Sequence, residues 1–92
     1  MELAREHDEF MLARSGQPET RLYAYSQGYD LVERPLVRCD EPMKLAANMF
    51  VACHPAFFSR SVFVNLCDNF LISASGTPER IHATEQKVFR GC

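Results

Sequence analysis

No tryptophan occurs in this chain, no purely apolar run is longer than the five residues Met49 to Cys53, and neither sign of charge dominates. A membrane-spanning helix needs about 20 apolar residues and a secretory leader an apolar segment of about 7–15, so neither is expected. The first residues, MELAREHDEF, mix both charge signs and do not resemble a leader. Ten Lys and Arg against twelve Asp and Glu give a net charge of -2 and no basic field for nucleic acid. Close-set cysteine pairs are missing as well. Cys39, Cys53, Cys67 and Cys92 stand far apart, which argues against a zinc knuckle and against a disulfide framework. Free thiols in a reducing cytoplasm are the expectation. Linkers, repeats and low-complexity tracts are lacking too, so residues 1–92 read as one globular unit or a piece of one.

What is present alternates between helix and strand signals. Over Glu2–Ser15, Leu3, His7, Phe10, Met11 and Arg14 recur at steps of three and four, predicting a helix that Gly16 ends in a left-handed cap. Gln17-Pro18-Glu19-Thr20 reads as a turn and Arg21–Ser26 as a Tyr-rich strand. Gly28 permits a bend, Arg34-Pro35 an extended exit, and Asp40-Glu41-Pro42 a break. Met49–His54, Ser61–Leu66 and Asn69–Ser73 are strands whose apolar residues run continuously, the pattern of strands covered on both faces. Ser75-Gly76-Thr77-Pro78 is a turn, and Glu79–Phe89 an irregular or short extended tail.

The predicted class is therefore α+β, an N-terminal helix over a mostly antiparallel sheet. One helix of about 14 residues covers only part of several doubly apolar strands. On this inventory, layers are missing.

Three segments carry a resemblance. Tyr25-Ser26-Gln27-Gly28-Tyr29-Asp30-Leu31-Val32-Glu33-Arg34-Pro35 resembles the Gly-His-Gly-x-Gly…His-Glu-Arg-Pro segment of the creatinase/aminopeptidase P family of pita-bread metallohydrolases. Asn48 to Pro55 resembles its Gly-Met-x-x-x-x-Glu-Pro segment, and Val64 to Ile72 with Gly76 to Ile81 resembles its Ile-Glu-Asp-x-x-x-Val strand and trailing Gly-x-Glu-x-Leu. The likeness runs from Glu2 to Phe89 and covers the second half of the family's catalytic domain. It implies half of a pita-bread domain, with a curved sheet, and makes the absent half the source of the missing layers. It also implies partners: the N-terminal half of the domain, or a second copy giving a homo-oligomer.

Members of that family hold two divalent ions (manganese, cobalt, iron or zinc) with two aspartates, a histidine and two glutamates, and cleave the bond before proline or a related C–N bond. Matched to those motifs, Tyr25 stands at the histidine, His54 at the first glutamate and Cys67 at the second; both aspartates have no counterpart. The resemblance therefore implies a chain inactive alone and without the two-metal cofactor. Its wording at GYDLVERPL, His54-Pro55 and Cys67-Asp68-Asn69 is similar to a divergent branch of the family, which makes Tyr25 the more local departure. Val32 replaces a substrate-contacting histidine, and Val32, Glu33 and Arg34 map to the substrate mouth.

The same residue types suit other roles. His54 and Cys67 are both competent zinc or iron ligands, yet two fall short of the three an open catalytic site needs. A Cys67 nucleophile with His54 as base lacks a third group to orient the base. A non-catalytic module that pairs through an open sheet edge is the reading from a different class, and a relative acting on a small metabolite, a lyase or C–N hydrolase, is a further one. Among the rest, Glu33 and Arg34 are expected to pair with each other, Asp68 and Asn69 to make a bend or bulge, His7 and His82 to lie on the surface, and Phe57 and Phe58 to fill the core.

Overall fold

In the computed structural model, which describes residues 1–18 and 21–91, one helix precedes seven strands. These are α1 (Glu2–Ala13), β1 (Ala24–Gln27), β2 (Glu33–Leu36), β3 (Phe50–Cys53), β4 (Ala56–Phe58), β5 (Phe63–Asn65), β6 (Asp68–Ile72) and β7 (Pro78–Arg80). Five strands form a sheet in the order β2-β1-β3-β6-β7, while β4 and β5 form a separate hairpin. Every pairing among the described residues is antiparallel. The class is α+β, with a single N-terminal helix on a mostly antiparallel sheet. No helix among the described residues is long and apolar enough to cross a membrane.

The helix ends in a double cap, in which Gly16 N donates to Met11 O at 2.8 Å and Ser15 N to Leu12 O at 3.2 Å. Ser15, at φ 60°, is the left-handed residue, so the expectation that Gly16 takes that place is corrected. Gly16 is buried instead, where a neighbouring ring leaves no space for a side chain. At the other end the Met1 ammonium donates to Arg38 O at 3.2 Å and Cys39 O at 2.6 Å.

The buried stripe is also rotated from the expected one. Ala4 and Met11 are buried, while Leu3 and Phe10 are 47% and 48% exposed. The small Ala4 admits close approach, joining Tyr23, Ala24, Val37 and Val51 in the core. His7 is half-buried, correcting its assignment to the surface: its ring lies edge-on to Tyr23 at 4.1 Å, and Nε2 is buried without a partner among the described residues. Burial pushes its pKa down, with Asp8 opposing. Tyr23 Oη donates to Asp8 Oδ1, and Cys39 Sγ donates to Asp8 Oδ2 at 3.1 Å.

Along the sheet, β1 pairs with β3 from Ala24↔Cys53 to Gln27↔Phe50, and β3 pairs with β6 from Phe50↔Leu71 to Cys53↔Asp68. Asp68 and Asn69 therefore lie in a regular ladder and make neither the expected bend nor bulge; the irregularity falls between Tyr25 and Ser26, where β1 meets β2. Alternation puts Ala24, Val51 and Cys53 on the helix side and Tyr25, Gln27 and Ala52 on the other.

The expected strands are shorter than their apolar runs. Met49–His54 narrows to Phe50–Cys53, Ser61–Leu66 to Phe63–Asn65, and Asn69–Ser73 shifts to Asp68–Ile72. In place of Arg21–Ser26, β1 begins at Ala24, although Tyr23 still bonds toward both neighbouring strands: its N–H donates to Val37 O and its carbonyl accepts from His54 N, both at 2.9 Å. Cover on both faces is not found, since β5 is exposed throughout and β6 only half-buried. Phe57 and Phe58, expected in the core, are half-buried in the unanticipated β4. Pro78–Arg80 adds β7 to the sheet, where a tail was expected. The turn before it lies two residues earlier than read, closing from Ser73 to Gly76 with Gly76 N donating to Ser73 O at 2.9 Å and Gly76 at φ 85°, and Pro78 belongs to β7. Of the expected turn at Gln17–Thr20, Glu19 and Thr20 lie outside the described residues, as does Cys92.

Candidate functional site

The three motif segments run through all five strands of the sheet, the first through β1 and β2, the second through β3 and the third through β6 and β7, and β1, β3 and β6 are adjacent in it. Tyr25 sits in β1, His54 directly after β3, and Cys67 directly before β6. Counted by alternation from Cys53 and Asp68, which face each other across the ladder, His54 and Cys67 fall in step with the Tyr25 face. The Tyr25 and His54 rings meet, centroids 5.0 Å apart and tilted by 54°. His54 is half-buried and Cys67 exposed. Cys39, Cys53 and Cys67 are free thiols. The Cys53 thiol is pushed up by burial, with Asp68 and Cys67 adding to it.

This donor set does not fit a two-metal centre. Two dications about 3.5 Å apart repel by about 20 kcal/mol at an effective dielectric near 20, so anionic bridges are required. Tyr25, His54 and Cys67 supply no carboxylate. Among the described residues no group of three or more His, Cys, Asp or Glu is placed to hold a metal ion.

A polar row that sequence spacing did not indicate crosses the same face. Asn69 Nδ2 donates to Gln27 Oε1 at 3.1 Å, and Asn69 Oδ1 lies 2.9 Å from His82 Nε2. These residues are far apart in the chain, so only sheet pairing brings them together. His82 is exposed. Beside Cys67, Asp68 is held by Arg80 Nε at 3.1 Å and by Gln86, which keep its carboxyl below the usual range.

At the mapped substrate mouth, Val32 and Arg34 are exposed and Glu33 is half-buried. The expected Glu33–Arg34 pair is not made. Glu33 Oε1 accepts from Asp30 N at 2.7 Å, folding over Gly28, where a β-carbon would meet Glu33 Oε2 at 2.6 Å. Arg34 turns to Glu41, with Nη2 to Oε1 at 2.5 Å. Neighbours in an extended strand point to opposite faces, which separates the Glu33 and Arg34 side chains. Glu41 is buried and accepts also from Leu36 N at 3.0 Å and Met43 N at 2.9 Å. Arg34 first, then these amides, bring its pKa down to about 2.

The helix side of the sheet carries an apolar cavity of about 410 Å³, walled by Leu3, Leu45, Val51, Phe70, Ile72 and Pro78 among others. It occupies the part of the sheet that the short α1 leaves open. Compared with protein-family models, curated proteins and solved structures, the chain has no match.

Proposed function

We propose that this chain is the C-terminal portion of a creatinase/aminopeptidase P-like pita-bread domain, curved sheet included, that has lost the two-metal chemistry and is inactive by itself. One observation carries the reading. The motif-bearing strands are immediate sheet neighbours, and the mapped ligand positions Tyr25, His54 and Cys67 fall at one end of one face without a carboxylate among them.

A second reading, a non-catalytic module that works paired with another chain, is favoured by the apolar cavity beside α1 and by the exposed β5. The two are compatible, since a half-domain with an open apolar face gains stability from a companion half or a second copy. An ancestor acting on a small metabolite, as a lyase or C–N hydrolase, fits Val32 at the substrate mouth.

Elemental analysis after dialysis, with an assay of Xaa-Pro peptide cleavage in added manganese or cobalt, tests the loss of metal chemistry. The expected result is no pair of bound ions and no turnover above buffer. Two equivalents of manganese, cobalt, iron or zinc per chain, or cleavage abolished by His54→Ala or Cys67→Ala, would overturn it.

A further inference from the structure

We propose that β5 is a self-pairing strand, joining β5 of a second copy of this chain antiparallel about a twofold at Val64 to make one four-stranded sheet. The proposal deepens the paired-module reading and rests on it.

Hydrogen bonds of the hairpin decide which groups of β5 are free. Ser59 N donates to Val62 O at 2.9 Å and Leu66 N to Pro55 O at 3.1 Å, in step with the Phe57↔Val64 pairing. Backbone groups of Val62, Val64 and Leu66 therefore face β4, and those of Phe63 and Asn65 point the other way. Among the described residues β5 has no neighbour on that second edge. Its side chains are open as well, with Phe63 70% and Leu66 62% exposed.

The composition of the strand selects the occupant. From Ser61 to Cys67 there is no charge and no proline, although these are the usual guards on an exposed edge. Around a twofold at Val64, Phe63 of each copy stands opposite Asn65 of the other, so the outward N–H and C=O groups of both are matched. Val64 then faces its own equivalent and Val62 faces Leu66, apolar cross-strand pairs on the face that Phe57 shares. The edge is thus complementary to itself when paired antiparallel about Val64.

Sedimentation of the intact chain, followed by cysteine cross-linking, tests this. The native protein is expected to sediment at twice its 10.5 kDa chain mass, and Phe63→Lys, with its circular dichroism unchanged, at the single mass. Cross-linking uses a background with Cys39, Cys67 and Cys92 replaced by Ser. There, Val64→Cys should oxidise to a covalent dimer, because its equivalent lies about 4.5 Å away between α-carbons. Phe63→Cys should not, because its equivalent lies diagonally, beyond the roughly 7 Å reach of a disulfide. A native monomer overturns both the proposal and the paired reading as applied to a second copy. A dimer that survives Phe63→Lys, or that cross-links equally through both cysteines, overturns the β5 register alone.

Discussion

Gly16 lies against the ring of Phe57 so closely that a β-carbon on it would stand 2.6 Å from Cε2 and 2.9 Å from Cδ2. The end of α1 is thereby fitted to the β4–β5 hairpin, two elements that the sequence separates by the three sheet strands β1, β2 and β3. Gly16→Ala is expected to destabilise the fold by about 1–3 kcal/mol, the usual cost of overpacking. In combination with Phe57→Leu the loss should be smaller than the sum of the two single effects, because both act on the same contact. Chemical denaturation of the four proteins in the cycle measures this; strict additivity would show that the ring moves aside freely.

Glu41 gives the fold an acid limit. Its carboxyl titrates at about 2 in the fold against an ordinary 4.5, so the folded state prefers the ionised form. That contribution is complete above the ordinary value and is lost as pH falls through about 2. Thermal unfolding followed from pH 7 downward should show the wild type losing stability across this window. Glu41→Gln should melt lower at neutral pH and change less with acid, since the amide loses the charge that Arg34 and two backbone amides gather around. An unchanged slope would remove Glu41 from the acid response.

His7 works in the same direction at milder pH. Burial lowers its pKa below the ordinary 6.5, so the fold favours the neutral ring, and stability present above that value declines as pH falls through the lower folded one. His7→Phe keeps the ring against Tyr23 and removes a buried nitrogen that has no partner among the described residues. A gain of about 1 kcal/mol at neutral pH is expected, the low end of the cost of an unmet buried polar group. The variant should also lose the decline between pH 7 and 5. Unfolding midpoints at the two pH values decide it, and a variant less stable than wild type at both would mean that the nitrogen is satisfied in solution.

The Cys39 thiol is held protonated by its hydrogen bond to Asp8, reinforced by desolvation. Since the thiolate is the nucleophile, Asp8→Asn should speed alkylation of Cys39 by iodoacetamide at pH 8. Mass mapping of the Cys39 peptide separates it from the other cysteines. A rate equal to that of the wild type would show that Asp8 does not govern this thiol.

The class and the rough places of the elements were legible because apolar runs, Gly76 and the three- and four-residue steps of α1 are local signals. Less legible were the residues that meet. Arg34 was expected to pair with its neighbour Glu33, yet strand geometry points adjacent side chains apart, and Glu41, past the next bend, holds it instead. Asp68 and Asn69 looked like a bend or bulge because polar residues interrupt an apolar stretch. The β3 ladder absorbs them at its end, where Arg80 and Gln86 satisfy Asp68 and where Gln27 and His82 satisfy Asn69.

The order of amino acids is enough to set an α+β chain with one amphipathic N-terminal helix, strands too apolar for that helix to cover, and no carboxylate at Tyr25, His54 or Cys67. Those properties follow from residue identity and short-range periodicity, which need no partner to be read. Tertiary structure alone decided that Ala4 and Met11 face the core while Leu3 and Phe10 stay half in solvent, that the motif strands lie side by side, and that Phe63 and Asn65 turn their backbone groups outward. Each of these is set by packing distance or ladder register between segments remote in the chain, and a one-residue slip in either would reverse it without changing a letter of the sequence.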